Sequence, residues 1–293
     1  MGPTSRRRYA VASADGRRCS DRKKASATRS AIRVHPRSSA VPPLLFAHRG
    51  ASGEAPENTL EAFRLAWVQG ADGIECDVHR TRDGRLVCIH DADTRRTTGV
   101  KRRVAASTWA QLRALDAGVW KGARWAGARI PLLEEVLGVL PRGKRIQVEV
   151  KAGVGCVPRL VALLRAVPAY RKRVIVIAFE TDVVRAVKRA APELTVLWLT
   201  AYSRRGLRWH PTTEAMLATL RACGADGVGS QAHGALTAAR VTALRAAGFA
   251  VTAWTVDRVS TARRLAALGI DGIATNWPGH LRDGGRVREF GNG

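Results

Sequence analysis

Residues 73–90, GIECDVHRTRDGRLVCIH, hold two strand-like runs, Gly73–His79 and Leu86–His90, on either side of Thr81-Arg82-Asp83-Gly84. Asp-Gly between such runs is the strongest short-range hairpin signal, so these two strands are antiparallel neighbours. To either side of the hairpin, short apolar runs alternate with stretches of helical period, the pattern of parallel strands covered by helices. The strand candidates are Leu44–Ala47, the two hairpin arms, Arg145–Val150, Val174–Phe179, Thr195–Thr200, Gly227–Ser230, Ala250–Val256 and Gly272–Thr275. Helix candidates fall between most of them, at Thr59–Gln69, Thr108–Ala117, Leu132–Leu140, Val157–Ala166, Asp182–Ala190, Thr213–Ala222, Thr237–Ala247 and Ser260–Leu268. The second hairpin arm absorbs the strand that a barrel cannot place. The expected fold is therefore α/β, a TIM-like (β/α)8 barrel with a hairpin and a small insertion at its C-terminal mouth.

The chain has 293 residues, and a barrel of this kind runs to about 250 as one domain. Residues 1–40 hold eleven Lys or Arg against Asp15 and Asp21 and have almost no periodic apolar pattern; they read as a disordered basic tail. Residues 41–282 read as the barrel, with an insertion at about 92–129, and 283–293 as a frayed C-terminal tail. The net charge of +25 suits a field that draws in an anionic substrate, or a composition bias spread along the chain. No apolar run approaches the ~18 residues of a membrane span, so no stable membrane insertion is expected. Nor is a specific nucleic-acid partner; the oligomeric state is not legible. Arg6, Arg7 and Arg8 precede no apolar segment, which leaves a cytoplasmic protein as the expectation. Five cysteines, Cys19, Cys76, Cys88, Cys156 and Cys223, have no paired spacing, which argues against a disulfide framework or a zinc site.

In a βα barrel the functional groups gather where strands end and loops converge. His48 and Arg49 follow the first strand, Glu75 and Asp77 lie late in the second, and Glu149 and Lys151 close the run Arg145–Val150. Residues two apart in a strand share a face, so Glu75 and Asp77 form a clamp suited to a hard cation. A two-residue turn at Asp83-Gly84 would set Arg82 opposite Arg85 and Asp77 opposite His90. Singly, each group has a plainer explanation: a hydrogen-bonded structural histidine, a solvated strand edge, an ion pair. Jointly they surround one cavity with cation ligands, fixed positive charge and imidazoles, a set that suits phosphoryl chemistry.

The stretch 47–91, AHRGASGEAPENTLEAFRLAWVQGADGIECDVHRTRDGRLVCIHD, resembles the opening segment of the glycerophosphodiester phosphodiesterase family in the order HRG, PENT, GAD, IExDV, TxDG, HD. The resemblance continues through Ile130–Leu137, Glu149-Val150-Lys151, Trp254-Thr255-Val256 and Gly272–Asn276, and so covers nearly all of 44–278. It implies Glu75, Asp77 and Glu149 as ligands of one divalent cation, with Mg²⁺ or Ca²⁺ favoured by an all-oxygen set. It implies His48 and His90 as the acid/base pair and Arg49 and Lys151 as phosphate contacts. Glu57 and Asn58 would support the site or meet a substrate hydroxyl, and Trp254 would wall the glycerol side or fill the barrel. The implied substrate is a small glycerophosphodiester, cleaved to glycerol 3-phosphate and an alcohol through a cyclic phosphate. Departures fall at Ala178, Asp257 and Asn276, where the family usually has Ser, Asn and Asp; they bear on the lip of the site. Two rival readings are a barrel phosphodiesterase acting on lysophospholipids or phosphoinositides, which an apolar rim would favour, and a non-catalytic barrel with a nucleic-acid- or membrane-binding basic tail.

Overall fold

The computed structural model describes residues 42–284, so the basic tail at 1–40 and all but two residues of the 283–293 tail lie outside the described residues. Eleven strands follow in chain order: β1 (Leu44–His48), β2 (Gly73–Arg80), β3 (Leu86–Cys88), β4 (Arg145–Val150), β5 (Val174–Ala178), β6 (Thr195–Thr200), β7 (Ser203–Arg205), β8 (Arg208–His210), β9 (Gly227–Gln231), β10 (Ala250–Trp254) and β11 (Gly272–Thr275). The helices are α1 (Leu60–Val68), α2 (Arg95–Thr98), α3 (Trp109–Arg113), α4 (Leu133–Gly138), α5 (Val157–Ala166), α6 (Thr181–Ala190), α7 (Thr213–Cys223), α8 (Ala238–Ala246), α9 (Val259–Ala267) and α10 (Pro278–Arg282). Pairing runs β1-β11-β10-β9-β6-β5-β4-β2 and returns to β1, a closed parallel barrel, with β3 antiparallel on β2. None of the described helices is long and apolar enough to cross a membrane.

Alternation along the strands builds both core and site. On β2, Ile74, Cys76 and Val78 face outward into the helix-covered hydrophobic core, and Ile146, Val148 and Val150 do the same on β4. The residues between them, Glu75, Asp77, Gln147 and Glu149, belong to the other face, which is the barrel lumen. At the opposite end of the barrel a local device recurs three times. Asp72, Asp226 and Asp271 each precede a strand-opening glycine, and their carboxylates accept the backbone N–H of Leu45, Val196 and Val251 on neighbouring strands at 2.9, 2.8 and 2.8 Å. The glycines allow close approach: a Cβ on Gly73 would lie 2.5 Å from the Phe46 ring, and one on Gly227 2.3 Å from the Ala250 carbonyl.

The hairpin differs from the expected register by one residue. Arg80 pairs with Leu86 and Val78 with Cys88, and the Ile89 N–H donates to the Asp77 carbonyl, so Ile89 rather than His90 lies opposite Asp77. The reason is the loop. Among its central residues only Gly84 has positive φ, +78°, whereas a two-residue type I′ turn needs two such residues. The Thr81 N–H instead donates to the Arg85 carbonyl, and the Thr81 hydroxyl accepts from the Arg85 N–H at 2.9 Å, closing a three-residue loop.

Elsewhere Arg145–Val150, Thr195–Thr200, Gly272–Thr275 and Val157–Ala166 have their expected bounds. The helix expected at Thr108–Ala117 stops at Arg113. Beyond it the Asp116 carboxylate accepts backbone N–H groups from Gly118, Val119 and Gly127, folding the chain into turns. The insertion has its own small core, with Val104, Leu112 and Ala117 packed on Val87, Ile89, Ile130 and Leu132. The β7–β8 hairpin lacked any apolar alternation by which to read it; Gly206, φ +60°, opens its two-residue turn.

Candidate active site

The parallel register brings the acids together. His48 on β1 is level with Glu75 on β2, and Asp77 on β2 is level with Glu149 on β4. One oxygen from each of Glu75, Asp77 and Glu149 lies within 4.8 Å of the others. Glu75 Oε1 is buried without a hydrogen-bond partner, a costly arrangement unless a cation meets it, and Asp77 Oδ1 has no hydrogen bond either, only the Lys151 ammonium 3.5 Å away. The donor set is all oxygen and fits a hard divalent ion. Burial, together with the neighbouring Asp77 and Glu149 charges, raises the Glu75 carboxyl well above its usual range. Burial also raises Glu149, with the Asp77 charge adding to it. Burial pushes Asp77 the same way, but Arg49 and Lys151 outweigh it and hold this carboxylate low.

The two cations flank the cluster. Arg49 Nε lies 3.1 Å from Asp77 Oδ2, and Lys151 Nζ lies 2.9 Å from Glu149 and 3.5 Å from Asp77. Arg49 adopts φ +59°, rare for a side chain of its size, and its N–H donates to Glu75 Oε2 at 3.0 Å. Gly50, φ +81°, completes the turn; a Cβ there would sit 2.6 Å from the backbone of Ala62 in α1. Asn58, also at positive φ, donates its amide to Asp77 Oδ2 at 2.8 Å and accepts the Asp77 N–H at 3.1 Å. Glu57 accepts from Arg49 at 3.0 Å and from the two terminal guanidinium nitrogens of Arg96 at 2.7 and 2.9 Å. The side chains of Glu57 and Asn58 are thus turned toward protein partners.

Both histidines line one cavity of about 200 Å³, together with Arg49, Glu75, Glu149 and Lys151. Its other wall is apolar, built from Ile177, Leu199, Phe179 and Trp254, the last two edge-to-face with centroids 5.4 Å apart. Trp254 donates its indole N–H to the Gly229 carbonyl at 2.9 Å, which fixes the ring. His48 is held below its usual pKa by burial and by the Arg49 charge. Its Nδ1 is 2.8 Å from Asn276 Oδ1, and its Nε2 is 4.0 Å from Glu75. His90 Nδ1 is 2.7 Å from Asp91 Oδ1, and Arg96 holds the other Asp91 oxygen at 2.7 Å, so Asp91 is lowered to about 2. His79 Nε2 bonds the His90 carbonyl at 3.1 Å.

All ten residues singled out in the sequence lie in or directly behind this cavity. Missed were Asp91, Arg96, His79 and the Asp257–Asn276 pair. Asp91 stood in view beside His90; Arg96 had no signal, since an arginine in a basic insertion looks like any other. Asp257 and Asn276, read as two changes at the lip, are one bonded unit beneath His48: the Asn276 amide donates to Asp257 Oδ2 at 2.7 Å and its backbone N–H to Oδ1 at 2.8 Å.

Against known proteins, residues 48–280 match the model of the glycerophosphoryl diester phosphodiesterase family. The chain is 35% identical over 250 residues to a glycerophosphodiester phosphodiesterase of Caldanaerobacter subterraneus, covering 80% of this chain and 94% of that one. It is 32% identical over 242 residues to a glycerophosphodiester phosphodiesterase of Bacillus altitudinis, covering 80% and 94%. Among solved structures, a phosphodiesterase from Oleispira antarctica in complex with the product sn-glycerol-3-phosphate is similar at TM-score 0.74 and 26% identity, over 83% of this chain and 96% of that one.

Proposed function

The chain belongs to the glycerophosphoryl diester phosphodiesterase family, and on that premise we propose how its barrel mouth hydrolyses glycerophosphodiesters to glycerol 3-phosphate and an alcohol. Glu75, Asp77 and Glu149 hold one divalent cation, Mg²⁺ or Ca²⁺. A divalent ion bound there supplies Lewis-acid polarisation of a phosphodiester oxygen. Arg49 and Lys151 bind the phosphate and offset the charge that grows on it. His48 takes the proton of the glycerol 2-hydroxyl as that oxygen bonds to phosphorus. His90 gives a proton to the departing alcohol as its bond to phosphorus breaks, leaving a cyclic phosphate. In the second half the roles exchange: His90 takes a proton from water as its oxygen bonds to phosphorus, the bond from phosphorus to the glycerol 2-oxygen breaks, and His48 returns its proton to that oxygen.

One feature supports this order: burial and Arg49 favour a neutral His48, ready to accept a proton. Asp91 Oδ1, 2.7 Å from His90 Nδ1, anchors the second ring where it lines the cavity. The observation that carries the reading is the meeting of three carboxylates within 4.8 Å beside two imidazoles in one cavity. Positioned acid/base groups are worth about 10²–10⁴-fold each, so His48→Ala and His90→Ala should each nearly abolish release of glycerol 3-phosphate in a coupled assay, as should a chelator. A His90→Ala enzyme keeping more than about a tenth of wild-type turnover would remove His90 from the chemistry.

A second reading, turnover of lysophospholipids, gains from the β7–β8 hairpin, which follows β6 at the mouth. Leu207 at its tip is 91% exposed, Trp209 is 41% exposed, and Arg204, Arg205 and Arg208 surround them. Faster turnover of lysophosphatidylcholine than of glycerophosphocholine would favour it; the reverse would favour the water-soluble diester.

A further inference from the structure

The geometry points to Asn276, held by Asp257, as the positioning residue that fixes the tautomer and aim of the His48 imidazole, an assignment that rests on the acid/base reading above. A carboxylate only accepts hydrogen bonds, whereas an asparagine amide has a donor end and an acceptor end. Asp257 takes the Asn276 backbone N–H at 2.8 Å and the Thr275 hydroxyl at 3.0 Å on one oxygen, and the Asn276 side-chain nitrogen at 2.7 Å on the other. The nitrogen end of the amide therefore faces Asp257, and the carbonyl end, Oδ1, faces the other way. There it lies 2.8 Å from His48 Nδ1, with the Ser52 hydroxyl 2.9 Å away.

An amide oxygen carries no hydrogen, so the His48 contact is a bond only when Nδ1 holds the proton. In the neutral ring that leaves the lone pair on Nε2, the nitrogen nearer the carboxylate cluster, 4.0 Å from Glu75. Asp257 thus sets the sense of Asn276, and Asn276 sets the sense of His48. The backbone of Asn276 makes its own contacts, accepting the Gly53 N–H at 2.9 Å, so the side chain can be changed while the turn keeps its anchor.

Nitrogen-15 NMR of the full-length protein, labelled at histidine and held near pH 8, reads the tautomer directly; the His48 signals are those lost in His48→Gln. The expected result is Nδ1 protonated and Nε2 bare. Asn276→Ala should mix the tautomers and lower kcat about 10- to 100-fold with KM nearly unchanged and the melting temperature close to wild type. Asn276→Asp alone sets two carboxylates against each other and should be worse in both fold and rate. Combining it with Asp257→Asn restores one carboxylate and one amide with their places exchanged, and should recover most of the lost activity. A wild-type spectrum with the proton on Nε2, an Asn276→Ala enzyme with unchanged kcat, or no rescue in a folded double variant would each overturn the assignment. A fully active His48→Gln enzyme would instead overturn the acid/base reading, whatever the spectrum shows.

Discussion

The unusual demand on single residues here is that three carboxylates share one buried spot. Glu75 and Glu149 both have carboxyl groups raised in the folded chain, so each binds its proton more tightly folded than unfolded. Such a group contributes stability below its unfolded value and loses it as pH rises through the folded one; Asp77, lowered by Arg49 and Lys151, contributes in the opposite sense. Metal-free protein should therefore lose thermal stability as pH climbs above the ordinary glutamate range. Saturating Mg²⁺ or Ca²⁺ should raise the melting temperature, by more near pH 8 than near pH 5. Scanning calorimetry at both values tests this, and an equal metal shift at the two would exclude Glu75 and Glu149 from the binding set. The residues that set this electrostatics were legible because strand periodicity alone puts Glu75 beside Asp77. Their supports were less so: nothing in the letters says that Asp257 and Asn276, on consecutive barrel strand ends, reach each other.

At the scale of elements, two glycines of positive φ give contrasting tests. Gly84 closes the hairpin loop, and a Cβ there would meet nothing closer than 3.8 Å, so Gly84→Ala should cost only the conformational penalty, about 1 kcal/mol. Gly50 combines positive φ with a Cβ 2.6 Å from α1 backbone, so Gly50→Ala has to displace either the helix or the turn bearing His48 and Arg49. It should cost more than about 2 kcal/mol in urea melts and lose activity beyond what stability explains. Equal effects of the two substitutions would mean that the α1 contact is unimportant. The alternation of strands and helices was readable because each barrel strand turns an apolar face to its helices, as Ile74, Cys76 and Val78 do. The hairpin register was not, because Asp-Gly serves turns of two or three residues and only the conformation of Asp83 separates them. The recurrence of Asp72, Asp226 and Asp271 before strand glycines was present in the letters, but its purpose appears only when each carboxylate is seen gripping a neighbouring strand.

For the whole molecule, every group placed at the site lies between His48 and Asn276, so removing residues 1–40 should leave kcat and KM for a soluble diester unchanged. The residues beyond that segment still carry about +16. Attraction of an anionic substrate should therefore persist in the shortened chain as a fall in kcat/KM with rising salt, with kcat itself nearly constant. Loss of that salt dependence on truncation would assign the attraction to residues 1–40. The strand bearing Glu75 and Asp77 runs on through the Thr81–Arg85 loop and back to His90. One codon gained or lost in that loop would turn the returning arm over and carry the imidazole away from the acids, whereas the β7–β8 turn at Gly206 and Leu207 contributes no group to the cavity. A change of length at the outer lip would therefore leave the reacting groups where they are, so that a different leaving group could be accommodated there without rebuilding the reaction.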